Sequence, residues 1–217
     1  MYQFRDPVHG FIDDHTLQLA IERGGVQALE EFVLARYFMF IQVYFHKTRR
    51  YLDKVLVKSL KAILPNGKYP TEVHEYLKWN DSRILSLIAD SEAPEVTAFK
   101  QREIMTCVFE SKAHAGKGEK TNAKVIYKIL QEAYGNQVAY DSVDKAAHKL
   151  APVLLAPQDD SGKGIMILDP QTRAVTNIME ESIILESIVR PINIHRIYAG
   201  KDIVGEVLAE IERLQSD

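Results

Sequence analysis

The chain has 217 residues, 46% hydrophobic and 26% charged, with a net charge of −3. That composition belongs to a globular protein long enough for one large domain or two small ones. It carries no overall field toward nucleic acid or an anionic membrane. A single cysteine, Cys107, excludes an internal disulfide and a cysteine-rich zinc site, and it fits a reducing cytoplasm.

The opening "MYQFRDPVHG" places charges and a proline where a secretion signal would be apolar. "DPVHG" (6–10) reads as a turn, and "HTLQLAIERGG" (15–25) as a short helix stopped by Gly24 and Gly25. From Val26 to Leu64 nothing breaks a helix until Pro65-Asn66-Gly67, and apolar residues recur at spacings of three, four and seven. Between Tyr37 and Phe45 this helix is apolar on nearly every side, which predicts that protein wraps it. The run from Phe32 to Phe45 is interrupted by Arg36 and Gln42, and it falls short of the ~20 apolar residues a membrane span needs.

Further helices are expected where Thr71 caps "EVHEYLKW", where Asp81 caps "SRILSLIAD", and from Pro94 through "PEVTAFKQREIMTCVFESKA". "AHAGKGEK" (113–120) reads as a loop, "NAKVIYKILQEAYG" (122–135) as a helix with a glycine stop, and "SVDKAAHKL" (142–150) as helical. The texture then changes to short β-leaning runs, "APVLLAP", "KGIMILD", "AVTNIME" and "RPINIHRIYA", with "DPQT" (169–172) as a hairpin turn. "KDIVGEVLAEIERLQ" closes the chain as an amphipathic helix. The expected fold is α+β and predominantly α: a helical region at 1–112, then a small α/β subdomain at 113–217 with a short antiparallel sheet.

Devices for catalysis are absent from the sequence. There is no GxxxxGK[ST] phosphate loop and no GxSxG elbow, and none of the seven histidines precedes an aspartate. Asp13-Asp14-His15 is better read as a capped helix start than as a metal-ligand set, because three adjacent residues do not face one ion from a helix. Cys107 reads as an inert thiol inside a helix. One feature points to a ligand. Lys47, Arg49, Arg50, Lys54, Lys58 and Lys61 crowd one helix, and Asp53 is the only acid between Glu31 and Glu72. Such a cluster is either a solvated face or a site for an anion such as phosphate.

Several stretches resemble a known family. "ARYFMFIQVYFHKTRRYLDKVL" is similar to the helix that follows the catalytic core in HD-superfamily deoxynucleoside triphosphate triphosphohydrolases. "FRDPVHGFI" resembles the opening of the same proteins. "YLKWNDSRILSLI", "REIMTCVFESK" and "IHRIYAGKD" extend the likeness in family order. The family places a helical core with its metal-binding His and Asp residues between the first two motifs; here Ile12 runs almost directly into "DDHTLQLAIERGG". The resemblance therefore implies part, or a degenerate relative, of a metal-dependent phosphohydrolase that converts a dNTP to deoxynucleoside and triphosphate. It also implies that this chain alone is inactive and binds no cofactor, although an intact member would carry a divalent metal. By the same resemblance Tyr51 lines a substrate sugar pocket. Arg49, Lys54 and Arg102 fall at activating-nucleotide phosphate positions of dGTP-activated members, and Arg5 falls near another. Val43 replaces an arginine that touches substrate phosphate in some members. Helical neighbours of Arg50 and Lys54 lie close enough to present two cations to one phosphate chain. The expected partners are a nucleoside triphosphate (dGTP, GTP or a dNTP) and further copies of the chain. The alternative is a non-catalytic nucleotide-binding or assembly module of an HD-family oligomer.

Overall fold

The structure is a computed structural model that describes residues 5–6, 10–11, 20–145, 165–188 and 191–216. In chain order its elements are β1 (Arg5–Asp6), β2 (Gly10–Phe11), β3 (Ala20–Glu22), α1 (Val26–Met39), α2 (Lys47–Ile63), α3 (Val73–Tyr76), α4 (Asp81–Asp90) and α5 (Pro94–Lys100). They continue with β4 (Thr106–Glu110), α6 (Lys117–Tyr134), β5 (Val138–Lys145), β6 (Met166–Leu168), β7 (Val175–Asn177), α7 (Ile178–Glu181), α8 (Ile183–Ile188), β8 (Ile192–Ala199) and α9 (Val204–Ser216). The fold is α+β and predominantly helical. Two compact units divide the chain, one made of residues 1–43 and 143–194, the other of 44–142 and 195–217. The expected boundary at residue 112 lies inside the second unit, because β4 pairs with the distant β8.

In the first unit, β1 and β2 pair antiparallel, Arg5 opposite Phe11 and Asp6 opposite Gly10; residues 7–9, where a turn was expected, lie outside the described residues. Ala20–Glu22 is a strand where a helix was expected. It pairs parallel with β6, and β6 pairs antiparallel with β7. A short apolar run before two glycines suits either structure, and a partner 146 residues away decides for the strand. The β6–β7 hairpin is closed as "DPQT" suggests: Asp169 Oδ1 accepts from the Gln171 and Thr172 amides at 2.9 and 3.0 Å. Val26 and Val33 of α1 pack with Ile165, Ile167, Ile178 and Leu185 to form this unit's core.

The expected continuous helix from Val26 to Leu64 is broken. Its α-helical part ends at Met39, residues 40–44 form a wider π turn, and His46 takes an extended ψ of 135° before α2 begins. The unit boundary at Val43–Tyr44 falls in the same segment. The apolar stretch is also not wrapped: Phe38 and Val43 are more than half exposed, while Phe45 is buried. Pro65-Asn66-Gly67 does end α2, with Asn66 and Gly67 in the left-handed region.

In the second unit, α5 lies close against α2 over the buried Ser59, whose hydroxyl sits 2.7 Å from the Glu95 carbonyl. Glu72 rather than Thr71 caps α3, and Asn80 rather than Asp81 caps α4. The helix from Pro94 stops at Lys100, and Thr106–Glu110 is a strand that carries Cys107. Residues 117–120 belong to α6 rather than a loop; α6 runs to Gly135, whose φ of 55° ends it. Residues 142–145 are strand, not helix; residues 146–164, including "APVLLAP", lie outside the described residues.

The order of the three-stranded sheet is β4-β8-β5, with Cys107 opposite Tyr198 and Glu110 opposite Arg196. On one face, Ile197 and Ala199 pack with Ile126 and Leu130 of α6 and with Val207 and Ile211 of α9. Alternation along β8 sends Arg196 and Tyr198 to the other face, where the Tyr198 ring meets Tyr51 of α2 at 5.1 Å.

Candidate functional site

The basic helix α2 rests on this second face of the sheet. Its first turn is tied there by the Tyr198 hydroxyl, which donates to the Lys47 carbonyl at 3.0 Å. Arg50 then reaches Asp141 of β5 with two hydrogen bonds, Nη2 to Oδ1 at 2.8 Å and Nε to Oδ2 at 3.0 Å. The Lys54 ammonium stands 3.7 Å from the same carboxylate. Asp141 is 3% exposed, so an ionised carboxylate there needs such neighbours. Hydrogen bonding to Asp141 is also the leading reason that the Arg50 pKa lies above its ordinary value. Arg50 and Lys54 do present two cations to one anion, as the helix spacing suggests, and in this structure that anion is Asp141.

Arg49 points elsewhere. Its Nη1 donates to the Tyr44 carbonyl at 2.9 Å, its guanidinium lies 5.3 Å from the Tyr44 ring centre, and Asp53 is 3.9 Å away. It remains about half exposed. Arg102 is exposed in the turn after α5, with a left-handed φ of 54°. Lys47, Lys58 and Lys61 are exposed as well. Arg5 lies on β1 in the first unit, apart in the chain's division from the α2 cluster.

Tyr51 sits one step around the helix from Arg50 and opens onto a cleft of about 550 Å³. Val55 and Lys58 of α2, Pro94, Glu95 and Ala98 of α5, residues 103–105 and residues 200–202 complete its walls. Burial raises the Tyr51 pKa, and the Glu103 carboxylate adds to the effect. Arg102 immediately precedes this wall.

One residue escaped the sequence reading. Arg196 of β8 is 2% exposed; its Nε donates to Glu110 at 2.8 Å, and Nη1 has no partner among the described residues. The signal was available: a charged residue inside the β-rich run "INIHRIYA" should either pair or serve a ligand. Cys107, on the neighbouring strand, has its thiol pKa raised by burial and by Glu110, as suits an unreactive thiol. Among the described residues, no group of three or more His, Cys, Asp or Glu side chains is arranged to hold a metal ion, and no helix is long and apolar enough to cross a membrane.

Against known proteins, residues 10–124 match the family model described as "HD associated region". The chain belongs to this HD-associated family. The match covers the apolar-to-basic junction, α2, the cleft residues of α5 and β4 itself. Among solved structures, a hypothetical protein from Aquifex aeolicus, solved at 2.0 Å, has the same fold with a TM-score of 0.68 and 22% identity, over 92% of this chain. The chain spans about half, 48%, of that protein's length. No curated protein matches.

Proposed function

We propose that this chain is part, or a degenerate relative, of an HD-domain metal-dependent phosphohydrolase acting on dNTPs, and that alone it binds nucleotide without hydrolysing it. The observation that carries this reading is the HD-associated match over residues 10–124 in a chain whose 217 residues contain no His-Asp dipeptide. A metal site of the HD kind neutralises phosphate charge and supplies activated water. In an intact relative that divalent metal would be held by the catalytic core, and conversion of dNTP to deoxynucleoside and triphosphate would follow there. What this chain contributes is cationic surface. Arg49 and Lys47 lie at the start of α2, and Arg102 comes from the turn after α5, all three exposed and able to contact the phosphates of dGTP, GTP or a dNTP. Arg50 and Lys54 take part only by sharing their charge with Asp141. Tyr51, at the cleft wall, would stack on or hydrogen-bond the sugar. The expected setting is the cytoplasm.

Incubating the pure, mass-verified chain with dNTPs and Mn²⁺ or Mg²⁺ tests this reading. No triphosphate should be released above background, and release would overturn it.

A second reading, an assembly module of an HD-family oligomer, is favoured by one observation. Phe32, Phe38 and Val43 leave more than half their surface exposed, and Met39 more than a third. Apolar surface of this kind marks a contact with another chain. Light scattering at micromolar concentration should show a dimer or larger species; a clean monomer would count against assembly.

A further inference from the structure

The cleft beside α2 has a volume within the range of small-molecule sites, about 550 Å³. Its lining includes the apolar residues Val55, Pro94, Ala98, Ile104 and Met105. The same lining carries both signs of charge, Lys58 and Lys201 together with Glu95, Glu103 and Asp202. All five are exposed, and among the described residues none of them enters an ion pair. Elsewhere in the same unit opposite charges within reach do close on each other, as in Arg50–Asp141, Lys78–Glu75 and Arg196–Glu110.

This arrangement narrows the ligand. Three carboxylates repel a polyphosphate, so the triphosphate of the proposed function is a poor occupant of the cleft itself. A purely cationic molecule meets the two lysines, and a purely anionic one meets the acids. Both signs are satisfied together by a molecule that carries both. We propose that the cleft binds a zwitterion with an apolar body, the chemistry of a free amino acid or a short peptide. The carboxylates of Glu95, Glu103 and Asp202 would take its ammonium, Lys58 and Lys201 its carboxylate, and Val55, Ala98 and Ile104 its side chain. The inference does not depend on the phosphate contacts of the nucleotide reading, since Arg49 and Lys47 are not cleft residues; the two readings share only the wall residue Tyr51.

The ¹⁵N-labelled full chain, titrated with L-phenylalanine and followed through its backbone amides, tests the assignment. The dipeptide Ala-Phe serves as the larger zwitterion, L-phenylalaninamide lacks the carboxylate, and N-acetyl-L-phenylalanine lacks the ammonium. Saturable shifts at the amides of Ala98, Ile104 and Gly200 are expected with one or both zwitterions. Binding should weaken at least tenfold for each blocked derivative, for Glu103→Gln and for Lys58→Gln, in variants whose spectra are otherwise unchanged. Equal binding of phenylalaninamide would overturn the zwitterion in favour of a cation site. Equal binding of the N-acetyl compound would overturn it in favour of an anion site. No saturable shift at these amides with either zwitterion would remove the site.

Discussion

Arg49 and Arg50 are adjacent in α2 and have opposite surroundings. Arg50 turns toward the sheet, where two hydrogen bonds and a buried carboxylate fix it. Arg49 turns outward, rests on Tyr44 and keeps about half its surface in water. The same division runs along the helix: Lys54 follows Arg50 by four residues and shares Asp141, while Lys58 opens on the cleft and Lys61 on solvent. A basic helix is thus two devices at once. One row neutralises a buried charge and docks the helix; the other stays exposed to solvent. A charge count cannot tell them apart, because the difference lies in what the sheet places underneath.

The largest test of that contrast is Arg50→Met. Removing one partner of a buried pair leaves the other uncompensated, and Lys54 at 3.7 Å recovers only part of the loss. A stability decrease of about 3 kcal/mol is expected by urea denaturation, against less than about 0.5 kcal/mol for Arg49→Met. Equal effects would erase the distinction.

Lys54→Met is the next step down. The ammonium is more than a third exposed and lies beyond hydrogen-bond distance of Asp141. A loss of about 0.5–1 kcal/mol is expected. A double-mutant cycle with Asp141→Asn should find stronger coupling for Arg50 than for Lys54; the reverse order would reassign the anchor.

How much of this was legible in the sequence follows from how local each feature is. The stop at Pro65-Asn66-Gly67, the Gly135 end of α6, the "DPQT" hairpin and the closing helix are set by residues within a turn of one another, and all were readable. Strand β4 was not. Its Thr-Cys-Val-Phe run sits in a stretch with no breaker after Pro94, and its pairing partner is β8, almost ninety residues on. The break between α1 and α2 was hidden for a related reason, since neither proline nor glycine marks it. The abrupt change from apolar to basic residues was the only sign. Among site residues, the cluster on α2 was visible by composition. Its split was not, because Asp141 lies 91 residues away.

An effect of similar size, opposite in sign, is expected at Arg102. Its left-handed backbone strains any side chain with a Cβ, while glycine adopts it freely. Arg102→Gly should therefore stabilise the chain by about 0.5–1 kcal/mol. If Arg102 also reaches phosphate, the same variant should bind dGTP more weakly while melting higher. Loss of stability would show that the side chain has a packing role instead.

The claim at the centre of this account is that the outward cations of α2 meet nucleotide phosphate. Calorimetric titration of dGTP and GTP into the wild type and Arg49→Ala at low and at raised salt tests it most directly. The account predicts weak, saturable binding that falls as salt rises, and a loss of about tenfold or more in the variant, equivalent to ~1.4 kcal/mol. A flat titration of the wild type, or equal affinity in the two proteins, would contradict it and leave α2 as a solvated face.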